Sequence, residues 1–345
     1  MAKRSITVAG AGILGLWQAL TLARRGHRVR LVEQKASAFA DSSSRHAGAM
    51  LAPDCEREAA PRLVSELGHQ GHAIWKRVYP DLVNLGSLVV ASARDLPDLT
   101  QYGKRTTGHR QLTAEEIAAI EPAFAGRFAT ALHFENESHM VTPDAMTFLL
   151  EEVRSAGGLV ELGREWSHES RAGTGGLTID CRGLAARHEL PALRGVRGER
   201  LLVETHEIEL SRPVRLLHPR HPIYVVPWSG GRFLVGATMI ESEDAGPVTV
   251  RSALDLLSTL YALHPAFAEA RILETAAGVR PAFPDNVPRA IVKDGGSRIY
   301  VNGAYRHGFL LAPVLAEAVA DYVEERKAHP LILENSACGA AAVHA

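Results

Sequence analysis

Hydrophobic positions along the chain switch repeatedly between two periods. A β-branched run from Ser5 to Ala9 leads into a glycine turn, and "LWQALTLARRG" then reads as a helix ending at Gly26. "HRVRLVEQ" reads as a second strand that closes with Glu33, so the first forty residues predict a βαβ unit. Further on, "EREAAPRLVSELGHQGHAIWKRVYPDL" contains an amphipathic helix, with Leu63, Leu67, Ile74 and Val78 near helical spacing. "GSLVVAS" is a strand. In "TAEEIAAIEP", Thr113 is an N-cap, Glu116 completes a capping box and Pro122 is the stop. "TPDAMTFLLEEVRSAGG" predicts another capped helix. "LVELGREW" and "LTIDCRG" predict strands on either side of a turn or short loop, "RAGTGG". A strand-rich run follows in "ERLLVETHEI", "VRLLHP" and "HPIYVVPWSGGRFLVGATM", whose "SGG" marks a hairpin. "VTVRSALDLLSTLYALHPAF" is a helix, and "SRIYVNGAYRHGFLLAP" supplies a strand, a glycine loop and a helix start. The final "ENSACGAAAVHA" has no periodicity and is expected to be a disordered tail.

The glycine turn carries chemistry. Gly10, Gly12 and Gly15 stand in G-x-G-x-x-G spacing between a strand and a helix. Gly10 suits the tight turn, Gly12 lets backbone approach a pyrophosphate, and Gly15 lets helix and strand pack closely. The helix N-terminus offers free N–H groups to phosphate. Glu33 lies where a carboxylate accepts bonds from both ribose hydroxyls, which disfavours a 2′-phosphate and hence NADP. NAD and FAD both satisfy this motif. The next segment, "DSSSRHAGAMLAP", offers Ser43 and Ser44 as donors to phosphate and Gly48, Ala49 and Met50 as a surface along a ring system. Its "GAMLAP" is too apolar to sit in water without a partner.

Composition narrows the rest. The 345 residues are 46% hydrophobic and 22% charged, with a formal net charge of -1. That gives no electrostatic case for nucleic acid, and no basic block suggests a membrane surface. Cys55, Cys181 and Cys338 are odd in number and suit neither a disulfide framework nor a zinc site, so a cytoplasmic location and no metal are expected. The basic-then-apolar start resembles a secretory signal, but its apolar part splits into strand, turn and helix, and no apolar run approaches the roughly 20 residues that span a bilayer.

Together, Gly10–Gly15, Glu33 and "SSSRHAGAMLAP" resemble the FAD-binding start of the D-amino acid oxidase superfamily. "GVRPAFPDNVP", "GAYRHGFLLAP" and "IYVVP…GGRFLVGATM" are similar to motifs of its glycine oxidase family, which serves thiamine thiazole synthesis. The resemblance implies an α/β fold, with a Rossmann-like FAD-binding domain of the glutathione-reductase type and an inserted α+β substrate domain on an antiparallel sheet. The FAD-binding domain would take residues 1–80, 145–195 and 285–330, the substrate domain 81–144 and 196–284, and the tail 331–345. Carried over, Arg280 would bind a substrate carboxylate, Tyr224 would support it, Arg306 would stand at the entrance and Met239 would line the pocket. Ile13, Leu14, Glu33, Gln34, Ser43, Ser44, Gly48, Ala49, Met50, Trp166, Ala304, Tyr305, Arg306, His307, Gly308, Phe309 and Leu310 would contact FAD. Relatives with covalent flavin use a Cys just after the arginine–proline pair. Ala282 and Phe283 stand here, so the FAD should be non-covalent. Arg182 replaces the family's usual Thr and has no assigned role. The implied reaction is oxidation of a small amino acid, glycine first, with the flavin accepting hydride and oxygen accepting the electrons, and with no catalytic side chain. The alternative is a sarcosine or D-amino acid oxidase or dehydrogenase. A homo-oligomer such as a tetramer, and handover of product to thiazole synthase, are the implied partnerships.

Overall fold

The computed structural model describes residues 3–167 and 176–334. Its first sheet has seven strands in the order Ile332–Glu334, Arg289–Lys293, Arg298–Asn302, Leu177–Asp180, Ser5–Ala9, Arg28–Glu33 and Leu159–Leu162. All its neighbours run parallel except the hairpin joining Arg289–Lys293 to Arg298–Asn302. Parallel strands need covered faces. The helices Ile13–Arg24, Arg62–Val78, Thr142–Ser155 and Gly308–Glu325 share one apolar core with this sheet. Trp75 ties three of them together. It meets Trp17 edge-on at 4.9 Å, stacks on Phe309 at 6.1 Å and donates its indole N–H to the Phe309 carbonyl at 2.6 Å. The helix Ile13–Arg24 can sit this close to its strand only because position 15 is glycine, where a Cβ would lie 1.8 Å from the Gly10 carbonyl oxygen.

The second sheet has eight strands, in the order Arg271–Ala282, Arg194–Glu204, Arg232–Gly236, Ile223–Trp228, Val214–Leu217, Ser87–Ala91, Thr130–Phe134 and Arg110–Thr113. Its neighbours are antiparallel except Val214–Leu217 beside Ser87–Ala91. Period-2 alternation sorts its side chains. Leu201, Val203, Val225, Phe233 and Val235 pack under the helix Val250–Leu263 through Leu256, Leu260 and Leu263. The other face turns Arg200, Tyr224, Arg215 and Arg280 away from that helix. The hairpin across Ser229, Gly230 and Gly231 and the Thr113/Glu116 capping box are both present.

Several expectations are corrected. The disordered tail expected over 331–345 does not hold for its first residues, because Ile332–Glu334 forms an edge strand parallel to Arg289–Lys293. The helix expected to be capped in "TPDAMTFLLEEVRSAGG" has Val141 as N-cap and no capping side chain. Thr142 is its first residue, and its hydroxyl donates to the Ala47 carbonyl at 2.6 Å, pinning the helix to the loop before Gly48. The expected boundaries at 144/145 and 195/196 cut through the helix Thr142–Ser155 and the strand Arg194–Glu204. "LVELGREW" is a strand only over Leu159–Leu162. Most of "RAGTGG", together with Cys338 and residues 335–345, lies outside the described residues. Among the described residues no helix is long and apolar enough to cross a membrane, and no His, Cys, Asp and Glu cluster could hold a metal ion.

Candidate active site

A cavity of about 610 Å³ opens between the two sheets. The first sheet brings its glycine turn to one wall. Gly10 N–H donates to Val32 at 2.8 Å, which fixes the turn, and the helix begins at Ile13 with Gly12 as N-cap and no capping side chain. Ile13 N–H donates to Ser44 Oγ at 3.1 Å. Glu33, at the end of the second strand, folds back and accepts from Ala11 N–H at 2.9 Å and Lys35 N–H at 3.1 Å. A second helix, Gly308–Glu325, also starts at the cavity, with His307 as N-cap and again no capping side chain. Its first residue almost touches the other helix start, since a Cβ on Gly308 would lie 3.2 Å from Ile13 Cγ2. Two helix ends, one with Ile13 N–H already held by Ser44, therefore turn their partial positive charge to one space. Ala49 and Tyr305, both lining it, hold φ of 46°, a conformation that non-glycine residues adopt at a cost and that clusters at ligand sites.

These features fit FAD. Uncapped helix starts suit phosphate and carbonyl oxygens, and Glu33 stands at the ribose end of the glycine turn. Of the residues expected to contact FAD, Ile13, Ser43, Ser44, Gly48, Ala49, Met50, Ala304, Tyr305, Arg306, Gly308 and Phe309 line the cavity. The others sit behind or beside it. Leu14 and Leu310 point into the core, the latter against Gly68. Gln34 is exposed just past Glu33, and His307 is buried against Glu56. Trp166 packs on Ala9 and Val32, with the Arg182 guanidinium 4.6 Å above its ring. That placement explains Arg182. It grips the fully buried Asp180 through Nε at 3.0 Å and Nη2 at 2.7 Å, so it braces the strand end beside Trp166. Burial pushes the Cys181 thiol up, and it behaves as a small packing residue.

The second sheet supplies the opposite wall. One cross-strand row runs Ala276, Arg200, Gly236, Tyr224, Arg215. Two glycines make room on it. A Cβ at Gly198 would lie 2.1 Å from Arg280 Nη2, and one at Gly236 would lie 2.6 Å from the Tyr224 hydroxyl. Arg280 and Tyr224 thus lie flat over glycine backbone and both line the cavity. Arg280 makes one hydrogen bond, to the Thr238 carbonyl at 3.3 Å, and among the described residues has no carboxylate partner. Burial pushes its pKa down and that of the Tyr224 phenol up, with the surrounding arginines pulling the phenol back. Arg306 stands beside them, ion-paired with Glu56 at 3.0 Å and 3.6 Å from Met239 Sδ. Met239 is mostly exposed at the cavity mouth.

Sequence reasoning missed Glu56, Arg200, Arg215, His46 and Glu137. Burial would push the Glu56 carboxyl up, but Arg306, His307 and Arg215 outweigh it and hold it well below the usual carboxylate range. Arg200 donates to Glu274 at 3.0 Å and approaches His46 at 3.2 Å, and burial together with that arginine lowers His46 to about 4. The one signal for Arg215 was an arginine inside the otherwise apolar strand "VRLL", whereas Arg200 shares its strand with Arg194, Arg197 and Glu199 and had none.

Comparison with known proteins agrees with this geometry. The family model described as DAO, FAD dependent oxidoreductase, matches residues 5–322. A Rhizobium etli protein whose name assigns it to thiamine biosynthesis as the oxidoreductase ThiO is 50% identical over 319 residues, 91% of this chain and 95% of the relative. Glycine oxidase of Geobacillus kaustophilus is 26% identical over 365 residues, 94% of each chain. The crystal structure of glycine oxidase from Geobacillus kaustophilus superposes with a TM-score of 0.77 at 24% identity, over 96% of this chain and 97% of the other.

Proposed function

The chain belongs to the DAO family of FAD-dependent oxidoreductases, and from that premise we propose that it oxidises a small amino acid at its carbon–nitrogen bond, glycine first, for the thiazole moiety of thiamine. One observation carries the substrate class. Arg280 is a half-buried fork with no acid of its own among the described residues, lying beside Tyr224 in the cavity that the cofactor-binding helix starts also face. A guanidinium so placed fits a carboxylate in two parallel bonds. The names of the Rhizobium etli and Geobacillus kaustophilus relatives support the same reading.

When bound, FAD takes the two electrons removed from the carbon–nitrogen bond and returns them to oxygen. The chain's own residues do the rest. Glu33, the Ile13 and Gly308 helix starts and the loop Ser43 to Met50 hold the cofactor. Arg280 binds both carboxylate oxygens, and the Tyr224 hydroxyl fixes one of them, so the α-carbon has a single orientation. Arg280 and Arg306 together raise the local positive potential, which favours the neutral amine that oxidation requires. No general base is needed, and Glu56, committed to Arg306 and His307, is not one. Glycine and oxygen give iminoacetate and hydrogen peroxide. Water then converts iminoacetate to glyoxylate and ammonia, unless thiazole synthase receives the imine first.

The test is an anaerobic titration of the yellow protein with glycine. Bleaching of the visible flavin band, with colour restored by air and one peroxide formed per glycine, is the expected result. A yellow protein that ignores glycine but bleaches with sarcosine or D-alanine would overturn glycine as substrate, and colour restored only by an artificial acceptor would overturn oxygen.

A further inference from the structure

The cavity does not end at Arg280 and Tyr224. It continues past them to Arg215, then out towards Tyr102, Gln101 and His218. Arg215 stands directly opposite Tyr224 in the antiparallel register, so their Cβ atoms are about 5 Å apart on the same sheet face. Its side chain is 13% exposed. Among the described residues its guanidinium makes no hydrogen bond, and Nε and Nη2 are buried without an acceptor. A buried guanidinium ordinarily meets carboxylates or carbonyls.

The two acids nearby are otherwise engaged. Glu56 lies 3.7 Å from Arg215 Nη2 but accepts from Arg306 at 3.2 Å and meets His307 at 3.3 Å. Glu137 accepts from Cys55 N–H at 2.8 Å and from the Ser87 hydroxyl, and burial pushes its carboxyl up to about 7 against the pull of Arg215. Two guanidinium groups, of Arg306 and Arg215, therefore share one fully ionised carboxylate. The acidic groups around Arg215, Glu56 and Glu137 among them, outweigh burial and hold its charge, but they give it no hydrogen bond. Nε and Nη2 are closed off from the cavity, which leaves Nη1 as the donor that Arg215 can present there, and a single-carboxylate substrate seated on Arg280 leaves it unanswered.

We propose that Arg215 is a second anion site, and that the pocket accepts, alongside glycine, small amino acids bearing a second carboxylate on the side chain or on the nitrogen. The inference rests on Arg280 holding the first carboxylate, not on glycine being the preferred substrate. Both guanidinium-bearing side chains line the one cavity, so a ligand seated on Arg280 that also answers Arg215 carries an acid at each end. The second carboxylate supplies an acceptor for Arg215 Nη1.

The probes are unreactive acids of matched length bound to the holoenzyme: succinate against butyrate and glutarate against valerate, read by perturbation of the visible flavin spectrum. The dicarboxylates should bind at least tenfold more tightly, and Arg215→Met should remove that gap while leaving butyrate binding within about threefold. Equal affinity of the two classes for the wild type would overturn the proposal, as would a gap that survives in Arg215→Met. Should the methionine variant fail to retain FAD, Arg215→Gln carries the same expectation and the same refutation. The outcome is separable from the glycine titration. Tight dicarboxylates with no response to glycine would keep the anion site and drop glycine, and the converse result would do the opposite.

Discussion

Replacing Arg280 by Ala separates binding from stability. Arg280 is half-buried with, among the described residues, one long hydrogen bond, to the Thr238 carbonyl at 3.3 Å, and no acid partner, and desolvation already depresses its pKa. In the free enzyme it is a desolvated charge with little compensation, so its removal should leave the melting temperature unchanged or slightly higher. With substrate bound the balance reverses. One charge-assisted hydrogen bond contributes about 1.5–3 kcal/mol, and each 1.4 kcal/mol is tenfold. Losing a single such bond costs about tenfold to 150-fold in KM, and losing a two-bond fork costs more. Arg280→Lys keeps the charge without the fork and should fall between wild type and Ala. The assay is oxygen uptake against glycine concentration on FAD-loaded protein, with thermal melting followed by flavin fluorescence on the same samples. An unchanged glycine KM in Arg280→Ala would remove Arg280 from substrate binding. A fall in melting temperature of more than about 5 °C, with KM unchanged, would make it a structural arginine instead.

Further expectations follow from neighbouring atoms. Gly198→Ala puts a methyl 2.1 Å from Arg280 Nη2, so it should raise the glycine KM at least tenfold while the yellow colour persists; wild-type kinetics would show that Arg280 does not need that floor. Tyr224→Phe removes one neutral hydroxyl and should raise KM about threefold to tenfold, with FAD affinity unchanged in a spectral titration. Glu137 offers a pH test. Its folded pKa of about 7 lies above its ordinary 4.5, so the stability it contributes is present below pH 4.5 and is lost as pH rises through 7. Glu137→Gln should therefore gain in melting temperature relative to wild type between pH 5 and pH 8. A difference that stays flat across that range would show that the carboxyl is not buried as described.

The two walls of the cavity were unequally legible. The cofactor wall is local in sequence. Strand, glycines, helix and Glu33 lie within thirty residues, and the serine loop follows directly, so spacing alone carries their chemistry. The substrate wall is assembled from strand pairing. Arg200, Tyr224 and Arg215 become neighbours only through the registers of Arg194–Glu204, Arg232–Gly236, Ile223–Trp228 and Val214–Leu217. Arg280 and Tyr224 were reached by resemblance, but Arg215 has no motif. Glu56 was hidden differently. It stands in an acidic, helix-like run, and nothing local shows that its carboxylate turns inward to Arg306. The tail was misjudged at Ile332–Glu334 because a three-residue edge strand has too few positions to display a period.

This asymmetry also explains why the five arginines on one cavity, of which Arg105 at its rim pairs with Glu58 at 3.2 Å, do not play one part. Arg200 is neutralised by Glu274, and Arg306 by Glu56. Each of those charges is spent on the wall it stands in. Arg280 lies over glycine backbone with only a carbonyl to bond, and Arg215 has no hydrogen bond at all among the described residues. A sheet face that needed arginines for packing alone would pair each with an acid, as it does for Arg200. A pair left open on the cavity side points to groups that arrive with the ligand, and the affinities of mono- and dicarboxylates then decide whether one or both are answered.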